Sequence, residues 1–222
     1  MRKLYLFLAT LIVLITLTVL YGQSAIYRYP GLTLEPGPLP SRVELTPGLQ
    51  VTLDGAYLQT PEEPAFRAYR PDVSMHLSAE AETDSLQLYL ENIHPEARLK
   101  TSGMEGLDIE EHIDGLMRVL RLPSFESGDR LKLVWEFPLK EEYRFVTVGD
   151  TGGDRELSWA LIRAGELDAD FVLHLGDVYY YPSELGGVGA RMNQGPVPVY
   201  TASGNHDFRG PEGNSFDLFL SL

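Results

Sequence analysis

Tyr143-Arg144-Phe145-Val146-Thr147-Val148-Gly149-Asp150-Thr151-Gly152 opens the part of the chain that decides its fold. A short β-branched run ends in Gly-Asp, and the pattern returns twice downstream. Phe171–Leu175 leads into Gly176-Asp177-Val178-Tyr179-Tyr180, and the run from Pro196 to Ala202 leads into Gly204-Asn205-His206-Asp207. Between the first two runs, Leu157, Ala160, Leu161 and Ala164 share one face of a predicted helix from Glu156 to about Ala169, with Asp154 as its N-cap. A Gly-rich connection containing Gly186, Gly187 and Gly189 is expected before the third run. Near-continuous apolar strands separated by a helix predict a parallel sheet buried on both faces. Ligands bind such sheets at the carboxyl ends of the strands, and all three motifs fall there.

Upstream, from about Arg42 to Leu139, the period is two. Leu86, Leu88 and Leu90 alternate with Gln87, Tyr89 and Glu91; Leu131, Leu133, Trp135 and Phe137 alternate with Lys132 and Glu136. Leu49, Val51 and Leu53 do the same before an Asp54-Gly55 turn. The expected fold class is therefore an N-terminal β-sandwich over 42–139, followed over 143–222 by an α/β segment with a parallel sheet. The acidic stretch Asp108–Asp114, with His112, reads as a solvated loop. His76 and His94 read as surface or packing residues, and His174 as a hydrogen-bonded core histidine.

The first residues carry an export signature. Arg2 and Lys3 precede an uncharged run from Leu4 to Tyr21, and Gly22-Gln23-Ser24 offers a small-x-small cleavage site. Residues 1–25 are expected to be either a signal anchor or a cleaved signal peptide; either way the basic start stays cytoplasmic and the body is exported. It is then membrane-anchored, or secreted or periplasmic if cleaved. Residues 26–41, with Pro30, Pro36, Pro38 and Pro40, form a semi-rigid linker.

Composition narrows the partners. The 222-residue chain has 32 acidic and 18 basic residues, a net charge of −14, and no Lys/Arg cluster dense enough to hold a nucleic-acid backbone. Cysteine is absent, so there is no disulfide partner and any metal must take oxygen and nitrogen ligands. Carboxylates converging at strand ends repel one another unless a cation lies between them. Asp177, on the middle motif, can bridge two cations, with Asp150 serving one and Asn205 the other. Such a pair clamps a phosphate and lowers the pKa of a water.

The motif set resembles the calcineurin-like metallophosphoesterases, and within them the purple acid phosphatases, whose pattern is Gly-Asp-x-Gly, Gly-Asp-x-x-Tyr and Gly-Asn-His-Asp/Glu, then a lone His motif and Gly-His-x-His. Gly152 stands where the broad superfamily has His in its first motif, and Tyr180 matches the tyrosine ligand of the purple branch. The resemblance implies Asp150 and Tyr180 on a first metal, Asp177 bridging and Asn205 on a second. Tyr180 is selected from Tyr179-Tyr180-Tyr181 by the family spacing. His206 is implied as an outer-sphere catalytic residue, protonating the leaving oxygen or holding the phosphate, with Asp207 orienting it. The cofactors implied are two metal ions, Fe(III) first and Zn, Fe or Mn second. The function implied is an exported phosphoesterase that hydrolyses phosphate esters with a hydroxide activated by two metals. No histidine follows His206, so the resemblance implies that 143–222 is the first half of an α/β metallophosphoesterase sandwich, the front portion of an enzyme, weak in metal binding and in turnover by itself. The alternative is a membrane-tethered β-sandwich binding protein carrying a non-catalytic phosphoesterase remnant. A metal-dependent nuclease shares the chemistry but suits the acidic surface poorly.

Overall fold

Leu49, Val51 and Leu53 are buried on one side of their strand while Thr52 and Asp54 are exposed on the other, and this alternation builds most of the molecule. The computed structural model describes residues 42–60, 64–104, 106–107, 109–152, 155–180, 185–204 and 206–207. The predicted signal segment 1–25, the linker 26–41, Asp154, Tyr181 and Asn205 lie outside the described residues. Among the described residues no helix is long and apolar enough to cross a membrane.

Ten strands run from 42 to 136: β1 (Arg42–Thr46), β2 (Leu49–Asp54), β3 (Ala56–Thr60), β4 (Ala65–Ala68), β5 (Val73–Ala79), β6 (Leu86–Glu91), β7 (Arg98–Ser102), β8 (Glu110–Asp114), β9 (Met117–Leu122) and β10 (Arg130–Glu136). They form two five-stranded sheets, in the orders β1-β2-β5-β10-β7 and β3-β4-β6-β9-β8. Both sheets feed one core. Leu49, Val51, Met75, Leu77, Leu131, Leu133 and Trp135 of the first meet Phe66, Leu88, Leu90, Leu120 and Leu122 of the second. Each such side chain contributes roughly 1.5–3 kcal/mol on burial, ample to hold two layers together. The mostly β architecture is compatible with a sandwich.

One expectation is overturned here. Glu110–Asp114, read as part of a solvated loop, is the edge strand β8, paired antiparallel with β9. The charge run hid it because an edge strand leaves most side chains in water. Glu111 is the exception: it accepts a hydrogen bond from Trp135 Nε1 at 2.9 Å and lies 3.4 Å from Nε of the fully buried Arg118. Arg118 in turn donates to the carbonyls of His94 and Pro95. His94 is buried, with Phe137 edge-on at 4.9 Å, whereas His76 is exposed.

After 140 the pattern changes to β11 (Phe145–Val148), α1 (Arg155–Glu166), β12 (Phe171–His174), α2 (Leu185–Asn193) and β13 (Val199–Thr201). The three strands are parallel, in the order β11-β12-β13. Leu157, Leu161 and Ala164 are the buried face of α1. The expected Gly-rich connection is instead mostly helix. Gly187 and Gly189 cost helix stability, about 1 kcal/mol each relative to alanine. The buried pair Val188 and Met192, one turn apart, packs into the core of this layer and outweighs that cost.

The parallel sheet and the two upstream sheets lie in one compact unit, Pro40–Leu222, joined through side chains. Asn92, fully buried and left-handed at φ +63°, carries the join. Its Nδ2 donates to the carbonyls of Ala68 at 2.8 Å and Val199 at 2.9 Å, and its Oδ1 accepts the Val199 N–H at 2.9 Å. One amide thus pairs with β13 as a neighbouring strand would. Beside it the buried Arg67 donates to Asn193 Oδ1 and to Met192 Sδ, and Asn193 Nδ2 donates to Glu91. Burial pulls the Arg67 guanidinium below its ordinary pKa. At the other end of the sheet Lys140 donates to Asp170, which also accepts the Arg144 N–H.

Asn92→Gly keeps the left-handed backbone but deletes three buried hydrogen bonds. It should cost about 2–4 kcal/mol in denaturant unfolding, and a loss below about 0.5 kcal/mol would show that the amide holds nothing together. Asp170 gives a pH signature. Burial alone would raise its carboxyl, but the Lys140 ammonium and the Arg144 N–H hold it below the usual carboxylate range. A depressed carboxyl stabilises fully above its unfolded value of about 3.9 and loses that contribution as pH falls through the folded value. The stability gap between wild type and Asp170→Asn should therefore be flat near neutrality and close below about pH 4.

Candidate functional site

All three motifs lie at the carboxyl ends of β11, β12 and β13, and main-chain contacts bind them into one surface. Asp150 and Asp177, at the ends of the first two strands, are both left-handed, at φ +56° and +54°. A non-glycine residue there stores strain, of order 1–3 kcal/mol, held only by surrounding structure. That structure is visible. Asp150 N–H donates to the Gly176 carbonyl at 3.1 Å, and Gly152 N–H to the Asp177 carbonyl at 3.2 Å, latching the first loop to the second. The second and third loops touch backbone to backbone: a Cβ on Gly176 would overlap the Gly204 main chain, and one on Gly204 would overlap Asp177.

Four of the predicted site residues come together on this platform. His206 N–H donates to Asp177 Oδ1 at 2.7 Å. The Tyr180 hydroxyl donates to the Asp150 carbonyl at 3.2 Å, and its ring meets the His206 ring edge-on at 5.0 Å. The Tyr180 ring fills the space that a side chain at Gly152 would need, which gives Gly152 a packing reason beyond its φ of +56°. The neighbouring tyrosine behaves differently. Tyr179 is buried and donates its hydroxyl to the Asp207 carbonyl at 2.9 Å. Burial, with the Asp207 charge nearby, pushes its phenol pKa up. Asn205 lies outside the described residues.

Asp207 has a different job from the one expected. Its carboxylate, fully buried, gathers main-chain N–H groups. Oδ2 accepts from Asp177 at 2.8 Å and Gly204 at 2.6 Å, and Oδ1 from Val178 at 2.8 Å and Tyr179 at 3.4 Å. Successive N–H groups in a turn form an anion-binding concavity, and here the chain fills it with its own carboxylate. Asp207 is a positioning residue that clamps the second loop to the third.

Sequence reasoning also passed over Thr151, the variable position of the first motif. Its Oγ1 lies 2.8 Å from Nε2 of His174, the last residue of β12. Both are buried, and among the described residues His174 Nδ1 has no hydrogen-bond partner. Burial pulls the His174 pKa down, against the opposing pull of Asp207, Asp150 and Asp177. A neutral imidazole thus ties the first loop to the second strand. The polar pair within an otherwise apolar setting was the available signal.

Two carboxylates, a phenol and an imidazole at one surface are donors suited to a hard cation. Among the described residues, however, no group of three or more His, Asp or Glu side chains is placed to hold a metal ion. Asp207 is committed to main-chain N–H groups, and one oxygen of Asp177 accepts the His206 N–H. Asp150, Asp177 and Tyr180 carry oxygen donors of the kind a hard cation takes, and they lie on adjacent strand-end loops.

Residues 143–221 match the family model of the calcineurin-like phosphoesterases. The resemblance drawn from the three motifs therefore holds over the stretch that contains them. Among solved structures the chain is similar to a purple acid phosphatase isolated from yellow lupin (Lupinus luteus) seeds, at 16% identity and a TM-score of 0.29, covering 64% of this chain and 34% of that one. This chain thus spans about a third of that protein's length. None of the curated proteins matches it.

Asp207→Asn leaves one acceptor oxygen where two are in use and turns an NH₂ toward N–H donors. It should lower unfolding stability by about 2–4 kcal/mol, while Gly176→Ala, which meets both a left-handed φ and a main-chain overlap, should cost at least about 1–3 kcal/mol. Unchanged denaturation midpoints in both variants would mean that the loops are not clamped as described.

Proposed function

We propose that the chain is part of an exported, metal-dependent phosphoesterase of the purple acid phosphatase type, acting on phosphate esters. The reading is carried by one observation: Asp150, Asp177, Tyr180 and His206 meet at the ends of adjacent parallel strands, within the segment that matches the phosphoesterase family. Asp150 and Tyr180 would hold a ferric first ion, Asp177 would be shared, and Asn205 would serve a second ion, zinc, iron or manganese. Metal ions at this place supply Lewis acidity toward water and the phosphate. The chain's own contribution is positioning and proton handling. Asp177 keeps His206 close through the main chain, and the imidazole, edge-on to the Tyr180 ring, would hold a phosphate oxygen or protonate the leaving group. Asp207, Gly176 and Gly204 hold both loops still while charge rearranges.

In the same proposal residues 42–139 form a β-sandwich domain ahead of the catalytic segment, residues 26–41 are a linker, and residues 1–25 direct export or anchor the body to a membrane. Support for export rests on Arg2 and Lys3 before the uncharged run to Tyr21.

Ferric iron added to the purified chain should produce a visible charge-transfer absorption that Tyr180→Phe removes. Asp177→Asn should weaken metal binding at least tenfold, the scale on which lost ligands and their supports act. It should also abolish whatever metal-dependent phosphomonoester hydrolysis the chain shows. Hydrolysis that persists in chelator and is indifferent to Asp177→Asn would sink the phosphoesterase reading. A metal-loaded but colourless protein would remove the purple branch alone.

A further inference from the structure

The outward face of the first sheet carries a charge pattern opposite to that of the chain as a whole. Arg42, Thr52, His76, Lys132 and Ser102 lie opposite one another in a single row that crosses all five strands. The next row holds Gln50, Ser78 and Arg130, with Glu44 at its end. These side chains point outward because their alternates, Val51, Leu77 and Leu131 among them, fill the core. Seven of them, all but Gln50 and Glu44, rim a depression of about 400 Å³. Its wall is drawn in at Gly103, φ +108°, where a Cβ would overlap the Arg130 carbonyl.

Acid residues outnumber basic ones 32 to 18 in this chain, yet the depression is lined by Arg42, His76, Arg130 and Lys132 with no carboxylate between them. Arg42 meets Glu80 at 3.4 Å, but both side chains are more than half exposed, so the pair neutralises little. Glu44 turns its carboxylate to the Gly48 N–H. Lys100, two positions from Ser102, is matched by Glu136 at 2.7 Å. Among the described residues Arg130 and Lys132 have no ion-pair partner. They share one strand face, and Lys132 stands directly opposite His76. Arg130 and Lys132 lie two residues apart on that face, and an anion bound between two unpaired cations gains from both. The hydroxyls of Thr52, Ser78 and Ser102 add neutral donors of the kind that hold oxyanions beside a cation. The volume lies in the range of small-ligand sites, larger than a single ion needs.

We propose that this face binds a small anion bearing several phosphate groups, at a site remote in sequence from all three strand-end motifs. Strand register and charge define this site independently of the phosphoesterase reading. Neither could be seen in the sequence, where the four basic residues are spread from 42 to 132.

Tripolyphosphate titrated calorimetrically into the full chain, in chelator and low salt, tests it. Saturable binding is expected, weakened at least tenfold in Arg130→Gln/Lys132→Gln and unchanged in Asp177→Asn. The slope of log affinity against log salt should be shallower in the double variant. Without ligand, the double variant should melt at the same temperature or higher, since it only removes like charges from a surface. No saturable binding, or equal binding by the double variant, overturns the proposal. So does loss of binding in Asp177→Asn, which would place the anion at the strand-end loops. Equal affinity for a sulfated oligosaccharide of similar charge overturns the assignment to phosphate.

Discussion

The Asp207 carboxylate is the constraint on which the candidate site depends. Four main-chain N–H groups from two loops end on it, shielded from solvent. Buried donors without an acceptor cost more than a made hydrogen bond returns, so the loops have no inexpensive alternative to this arrangement. The other features follow. The second and third loops can close on Asp207 only if the chain at 176 and 204 has no side chains, and that closure brings His206 N–H to Asp177. The left-handed conformation of Asp177 is then over-determined, and its strain is kept where the chemistry is proposed to occur.

Much of this was legible because the motifs join local rules that agree. Runs such as Phe145–Val148 and Phe171–His174 are apolar and β-branched, each ends in glycine, and each proved to be a strand. Agreement between propensity, pattern and turn chemistry is what makes a segment readable. The role of Asp207 was not readable. A carboxylate next to a histidine has the same sequence signature whether it orients the ring or clamps a distant main chain, and only the fold of the 177 loop distinguishes them.

The misreadings share a cause: tertiary context outweighing local preference. Gly187 and Gly189 argue against a helix, but Val188 and Met192 are fully buried and bring α2 into register with the core. Glu110–Asp114 argues for solvent, but Glu111 meets a buried indole and a buried guanidinium, and the strand follows. The basic row from Arg42 to Ser102 is hidden for a third reason. Charge density along a chain is a one-dimensional quantity, while a sheet brings together residues tens of positions apart.

The Asn92 amide also bears on the order in which the molecule is made. Its partner Val199 lies 107 positions later, so the contact cannot form until nearly the whole described chain has been synthesised. The upstream sheets emerge from a ribosome first and have their own core, whereas β13 is three residues long. Long-range contacts of this kind form late because loop closure must precede any return from them. The upstream layer is then a template: the end of its central strand β6 presents one preset amide to β13.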